Sequence, residues 1–189
     1  MATYKEIYGT QVRNFSSDPA NPLVGQVWYN TTSSSLKSFK ILTGAWSTGG
    51  ALNTGRKGLA GAGIQTAALA NGGQDYPPSA TESYNGTAWT NLNALGTARY
   101  NLASCGTSTA ALAFGGSPGQ KAETELWNGT NWTEVNDLGT AKYKLAGAGT
   151  STAALAFGGG PPGGEKTNTW NGTNWTEVND LTTARYGLG

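Results

Sequence analysis

Four cations recur at one interval along this sequence: Arg56, Arg99, Lys142 and Arg185 each stand 43 residues from the next. Projected from equivalent places on successive structural units, they would form a ring of positive charge suited to an acidic glycan or a phosphate. The competing role is internal, each cation pairing with a nearby acid or carbonyl, such as Asp137 or Glu134, to organise its own unit. The internal role is favoured, and as a surface pair it contributes ~0 to 1 kcal/mol. Tyr100, Tyr143 and Tyr186 follow the series by one position. Their rings could stack on sugar faces, but filling the space between units is the favoured use.

The remaining chemistry is sparse. With no His and a single Cys, the chain lacks the ligands of a zinc cluster, the pairs of a disulfide framework and the imidazole of a hydrolytic triad. Cys105 stands where the next unit has Ala148, and reads as a buried, inert thiol with no base to activate it. Asp75, Glu82, Glu123 and Glu125 are too scattered to assign as a glycosidase pair. No cofactor and no metal site are expected. The Asn-x-Ser/Thr sequons at Asn85, Asn128 and Asn171 are Asn-Gly pairs, which hairpin turns already explain. The stretches that vary most between units are 74–80, 117–123 and 160–166, each after a Gly-Gly pair. Loops on one face of a rigid scaffold are where binding usually sits, so Gln74, Asp75, Tyr76, Gln120, Lys121, Glu165 and Lys166 are the candidate ligand-binding residues.

What must position these residues is a repeat. Thr-Ala-Ala-Leu-Ala begins at Thr66, Thr109 and Thr152, and Asn-Gly-Thr-x-Trp at Asn85, Asn128 and Asn171. The same 43-residue interval links Trp46, Trp89, Trp132 and Trp175, and residues 94–136 match 137–179 at 30 of 43 positions without a gap. Gly supplies 29 of the 189 residues, which without a three-residue period points to a repeat architecture. Within a unit the pattern is of strands. Ala110–Phe114 is an apolar run stopped by Gly115-Gly116; Thr124–Trp127 leads into the Asn128-Gly129 turn; Trp132–Val135 alternates; and a fourth strand is expected at Tyr100–Ala103. Four short antiparallel strands cannot bury both faces alone, so neighbouring sheets must stack, and radial stacking gives a β-propeller. The small residues before and within each apolar run suit strands crowded near an axis, whereas the pairs Trp127/Trp132 and Trp170/Trp175 suit the wider outer part.

A basic residue, an apolar strand ending in Gly-Gly, an aromatic some ten residues later and a Trp five beyond it resemble the kelch repeat. Arg99, Gly115, Gly116, Trp127 and Trp132 carry the pattern, as do Gly158, Gly159, Trp170 and Trp175. The unit is shorter than most kelch repeats, so kelch-like is the apt term. The wording itself, TAALAFGG followed by WNGTNWTEVNDL and TARY, is similar to repeat proteins encoded by marine bacteriophages, as is the leader MATYKEIYGTQVRNFSSDPANPLVGQVWYN. The resemblance implies an all-β, kelch-like propeller protein of the virion. Its domains would be an N-terminal virion-anchoring segment at 1–25, a β-hairpin at 26–50, and repeats at 51–93, 94–136, 137–179 and, in part, 180–189.

The prolines and turn residues of 16–22 forbid a central strand there. Gln26–Asn30 alternates as a strand, with a second strand expected around Leu36–Leu42, and Trp46 in register with the outer strand of a unit. At the other end the chain stops inside the first strand of a further unit. Either that strand completes a composite blade with 26–47, or the sequence is a portion of a longer protein, or an open set of blades stacks on another copy; the absent Gly-Gly strand favours the truncated or multi-chain readings. The expected function is that of a non-enzymatic virion protein, a tail-fibre or tail-associated appendage. Residues 1–45 would attach to other virion proteins and the repeats would meet a host surface glycan or protein. An architectural decoration or filament subunit is the alternative, and a carbohydrate-cleaving spike ranks below both. The place of action is the phage particle, after assembly in the host cytoplasm, with homo-oligomers expected. The +1 net charge gives no footprint for nucleic acid, no apolar run approaches the ~18 residues of a membrane span, and the polar opening does not read as a signal peptide.

Overall fold

The short apolar runs and their turns pair as antiparallel sheets in the computed structural model, which describes residues 12–20, 26–38, 48–75 and 77–188. Every described element is a strand. The chain divides into two units, Met1–Ser47 and Thr48–Gly189.

The first unit holds a three-stranded sheet. Strand β2 (Val27–Asn30) pairs antiparallel with β3 (Ser35–Ser38), and β1 (Arg13–Phe15) lies parallel to β2 with Arg13 opposite Trp28. The hairpin is the expected one, with β3 described over Ser35–Ser38; residues 39–47, including Trp46, lie outside the described residues, as do 1–11 and 21–25. Strand β1 lies within 1–25, where no strand was expected from the sequence. Asp18, in the polar linker after β1, explains how so short a strand is held. Its carboxylate accepts from Trp28 Nε1 at 3.1 Å, Asn30 Nδ2 at 2.7 Å and Lys37 Nζ at 2.8 Å. The hydrogen bond from Lys37, then those from Asn30 and Trp28, hold its pKa down at about 2.

The second unit consists of three four-stranded antiparallel sheets, each in simple sequential order. The first is β4 (Ala60–Ile64), β5 (Ala67–Asn71), β6 (Thr81–Tyr84) and β7 (Trp89–Leu92). The second is β8 (Ala103–Gly106), β9 (Ala111–Phe114), β10 (Thr124–Trp127) and β11 (Trp132–Val135). The third is β12 (Ala146–Gly149), β13 (Ala154–Phe157), β14 (Thr167–Trp170) and β15 (Trp175–Val178). These blade-like sheets stack with β4, β8 and β12 side by side, an arrangement of the β-propeller type in which the second sheet has a neighbour on either side and no further sheet closes the second unit among the described residues. The inner strand begins later than expected. Asn101 sits at φ 52°, in the left-handed region, and Lys144 repeats it at 53°. That kink ends the bridge from Tyr100 to Ser117 and delays the strand to Ala103.

Small inner residues let the sheets approach. Phe114, fully buried, packs over Gly147, where a Cβ would come within 2.6 Å of its ring. One core cluster gathers Leu112, Phe114, Leu145, Ala156 and Trp170, with Trp175 packed against it. The Gly-Gly pair does a separate job. Gly115 and Gly116 both hold positive φ, and Gly116 N donates to Lys142 O, so the turn that closes β9 also ties the second sheet to the lead-in of the third.

Candidate functional site

Three of the four cations prove internal and bind carbonyls and acids, as expected, but the acids are not Asp137 or Glu134 and the setting is buried rather than at the surface. Arg99 has no exposed surface. Its guanidinium donates to the carbonyls of Glu123 and Ala113 and, at 3.0 Å, to Glu125 Oε1 on β10. Glu125 also accepts from the N–H groups of Gly96 and Thr97. Arg56 repeats this with Glu82, and Glu82 in turn accepts from Asn53 N. Asp137 is occupied otherwise, accepting from Thr124 N at 2.9 Å. The carboxylate that meets each cation lies 26 positions along, across two strands. In the third sheet the pair becomes Lys142 and Asn168: Lys142 Nζ donates to Lys166 O at 2.7 Å and to Asn168 Oδ1 at 3.0 Å. Burial without a carboxylate in contact pushes this ammonium down to about 8, against the opposing field of Asp180 and Glu177. Arg185, by contrast, is exposed, and its Nε donates to Thr183 O. A ring of four accessible cations is therefore not formed.

The repeated aromatics join strands and sheets. Trp127 and Trp132 face each other across β10 and β11 with ring centroids 5.3 Å apart, as do Trp170 and Trp175. Trp127 Nε1 donates within its own sheet to Ser108 O. Trp132 Nε1 reaches back to Thr81 Oγ1 of the first sheet at 2.9 Å, and Trp175 Nε1 to Thr124 Oγ1 of the second at 3.0 Å. Asn93 and Asn136 clamp the next sheet's hairpin: Asn93 Nδ2 donates to Thr130 O and Asn131 Oδ1, and Asn136 Nδ2 to Thr173 O and Asn174 Oδ1. These contacts make the scaffold rigid on which the loops are carried. Cys105 is buried, and burial raises its thiol pKa to about 11.

Two of the loop candidates share a cavity. Gln74 and Asp75 line an open space of about 380 Å³ together with Pro78, Ala98, Tyr100 and Pro118, between the loops of the first and second sheets. Gln74 is fixed by backbone exchange with Lys57, and Asp75 holds φ 88°. Tyr76 lies outside the described residues. Of the others, Gln120 Nε2 donates to Pro161 O, Lys121 pairs with Glu123 and Lys166 with Glu177 and Asp180, while Glu165 is tied through its backbone carbonyl, which accepts from Leu181 N. Pro78 and Pro118 lie in the variable stretches 74–80 and 117–123 but were not singled out, having no polar group, and Ala98 lies outside them; only the neighbouring loop brings the three together. Tyr143, one unit after Tyr100, instead fills the space over Gly160, where a Cβ would meet its ring at 2.2 Å. The two tyrosines thus divide the roles of lining a cavity and filling.

No family model and no curated protein matches the sequence. Solved structures do match, among them one described as "Structure of YjhT", with a TM-score of 0.57 and 14% sequence identity over 69% of this chain and 53% of that one. The aligned part thus spans about half of that chain's length. The likeness is one of fold, and it places the stacked four-stranded sheets among known all-β architectures.

Proposed function

We propose that this chain is a bacteriophage virion structural protein of the tail-fibre or tail-associated kind, built as part of a kelch-like β-propeller. Its N-terminal unit attaches to the particle and its repeats present loops to the host surface. The repeat wording and leader support the virion reading. The observation that carries host recognition is the cavity of Gln74, Asp75, Pro78, Ala98, Tyr100 and Pro118. A mostly apolar lining with one aromatic ring and the polar residues Gln74 and Asp75 is the chemistry that holds a sugar ring, and it sits where loop sequence varies over a constant scaffold. Glu82 and Glu125 are committed to buried ion pairs, so these two carboxylates serve the scaffold.

The test applies the labelled full chain at micromolar concentration to marine bacterial cells and to arrayed bacterial surface polysaccharides. Retention that Tyr100→Ala removes, with the thermal midpoint unchanged, is expected. Absence of retention on every surface would refute the adhesin and leave the architectural subunit, which the exposed apolar residues of the third sheet favour. Deletion of residues 1–45 is expected to abolish incorporation into particles, and normal incorporation would overturn the anchor.

A further inference from the structure

We propose that the free face of the third sheet is a docking surface for the first sheet of a second copy of this chain, so that two copies close a six-sheet ring. The reading is independent of the virion role. Each interface between successive sheets uses the same positions, and the third sheet carries all of them without a following sheet among the described residues. Thr81 and Thr124 each accept an indole N–H from the following sheet; Thr167, in the equivalent place, has a buried hydroxyl with no partner among the described residues. Leu69 and Leu112 are buried under the following sheet, whereas Leu155 is 40% exposed. Beside it a groove of about 470 Å³, lined by Ala148, Leu155 and Trp170, lies where the inserted tryptophan belongs.

The first sheet offers the matching half. Trp89 stands in the place of Trp132 and Trp175, with its indole N–H on Gly50 O. The pairing of Phe and Gly chooses between partners. Phe114 packs over Gly147, while Asn71, which replaces Phe, faces Ser104, which replaces Gly. Phe157 therefore requires a glycine opposite, and the first sheet has Gly61, where a Cβ would meet, among the described residues, Leu69 O at 3.5 Å. Propellers close with roughly 4 to 8 sheets; two copies supply six and three would exceed the limit. Head-to-tail contacts of this kind form a ring when the rotation closes, and a net charge of +1 leaves little repulsion between copies.

Docking in the same register requires two end segments to move. Residues 48–50 of the incoming copy coincide with 177–179 of the receiving one, and 180–188 of the receiving copy with 51–59 of the incoming one. The incoming Arg56 is locked by its buried ion pair whereas Arg185 is exposed, so 48–50 and 180–188 give way, and Trp89 exchanges Gly50 O for Thr167 Oγ1.

Sedimentation velocity of the full chain tests this, with folding of each variant checked by thermal melting. A dimer at micromolar concentration is expected. Leu155→Asp and Gly61→Leu, on opposite faces, should each give monomer, and mixing the two should restore a dimer through the one intact junction. Thr167→Val should weaken the dimer roughly two- to tenfold, and removal of 180–189 should tighten it. A monomeric full chain, species beyond a dimer, a dimer that survives either face substitution, or failure of the mixture to pair overturns the proposal.

Discussion

Arg99 Nη2 lies 3.0 Å from Glu125 Oε1 with both side chains all but sealed from water, joining the lead-in of the second sheet to its third strand. Desolvation pulls the guanidinium pKa down while Glu125 and Glu123 push it back. Such a pair specifies register more than it adds stability, because desolvation of both ions opposes their attraction. Removing one partner is another matter.

Glu125→Ala leaves Arg99 charged and buried and strips Gly96 N and Thr97 N of their acceptor. The expected loss is about 3 to 5 kcal/mol, read from urea denaturation. A loss below about 1 kcal/mol, the level of an exposed pair, would show that water reaches the guanidinium.

Lys142 is the same position with its carboxylate removed, and it sets a pH dependence. Its folded pKa of about 8 lies below the ordinary 10.5, so between the two values the unfolded chain binds the extra proton. The burial penalty is therefore fully present below pH 8, and it is relieved as pH rises from about 8 to 10.5. Stability of the parent relative to Asn168→Glu should climb across that window, because a carboxylate at 168 returns the lysine to its charged state. A parallel pH profile for the two proteins would exclude an uncompensated Lys142.

The Gly-Gly and Asn-Gly turns and three of the four strands of each sheet were legible because each is a local signal, and the repeat period because the same wording returns every 43 residues; the inner strand, expected at Tyr100–Ala103, was displaced to Ala103–Gly106 by the left-handed turn at Asn101. Gly115-Gly116 stops a strand wherever it occurs, and Asn128-Gly129 turns one. The partner of Arg99 was not legible: Glu125 is 26 residues away and becomes a neighbour only when β9 and β10 pair. Strand β1 was hidden for the opposite reason. Three polar-flanked residues carry no periodic signal, and a parallel partner leaves no hairpin turn to reveal it. The cavity around Tyr100 depends on two loops from different sheets, so its Pro78 and Pro118 looked like ordinary turn residues.

In the N-terminal unit the acid side of the pH scale is the informative one. Asp18 is held at about 2 by Lys37, Asn30 and Trp28, below its ordinary 3.8, so its contribution is present above that value and is lost as pH falls toward 2. The indole N–H resonance of Trp28 in the full chain should shift with a midpoint near 2, and Asp18→Asn should abolish the transition. A midpoint at the ordinary carboxylate value would mean that the three hydrogen bonds do not persist in solution.

The two internal sheet interfaces use one pair of positions in two ways, and each solution excludes a mixture. At the second interface Phe114 needs the bare Cα of Gly147 and gains an edge contact with Trp175, the ring centroids 4.9 Å apart. At the first, Asn71 Nδ2 donates to Ser104 Oγ at 3.2 Å while buried Asn71 Oδ1 has no partner among the described residues, a cost the Phe/Gly pair avoids. Asn71→Phe alone drives a ring into the Ser104 side chain and should cost about 1 to 3 kcal/mol through overpacking. Ser104→Gly alone opens a void and removes the hydroxyl that donates to Leu112 O, so it too should destabilise. Together they reproduce Phe114/Gly147 and place the new ring beside Trp132, so the double variant should match or exceed the parent, with a coupling of about 1 to 3 kcal/mol. Denaturation midpoints of the four proteins measure it, and additive effects would show that the interfaces between sheets are not built on this alternation.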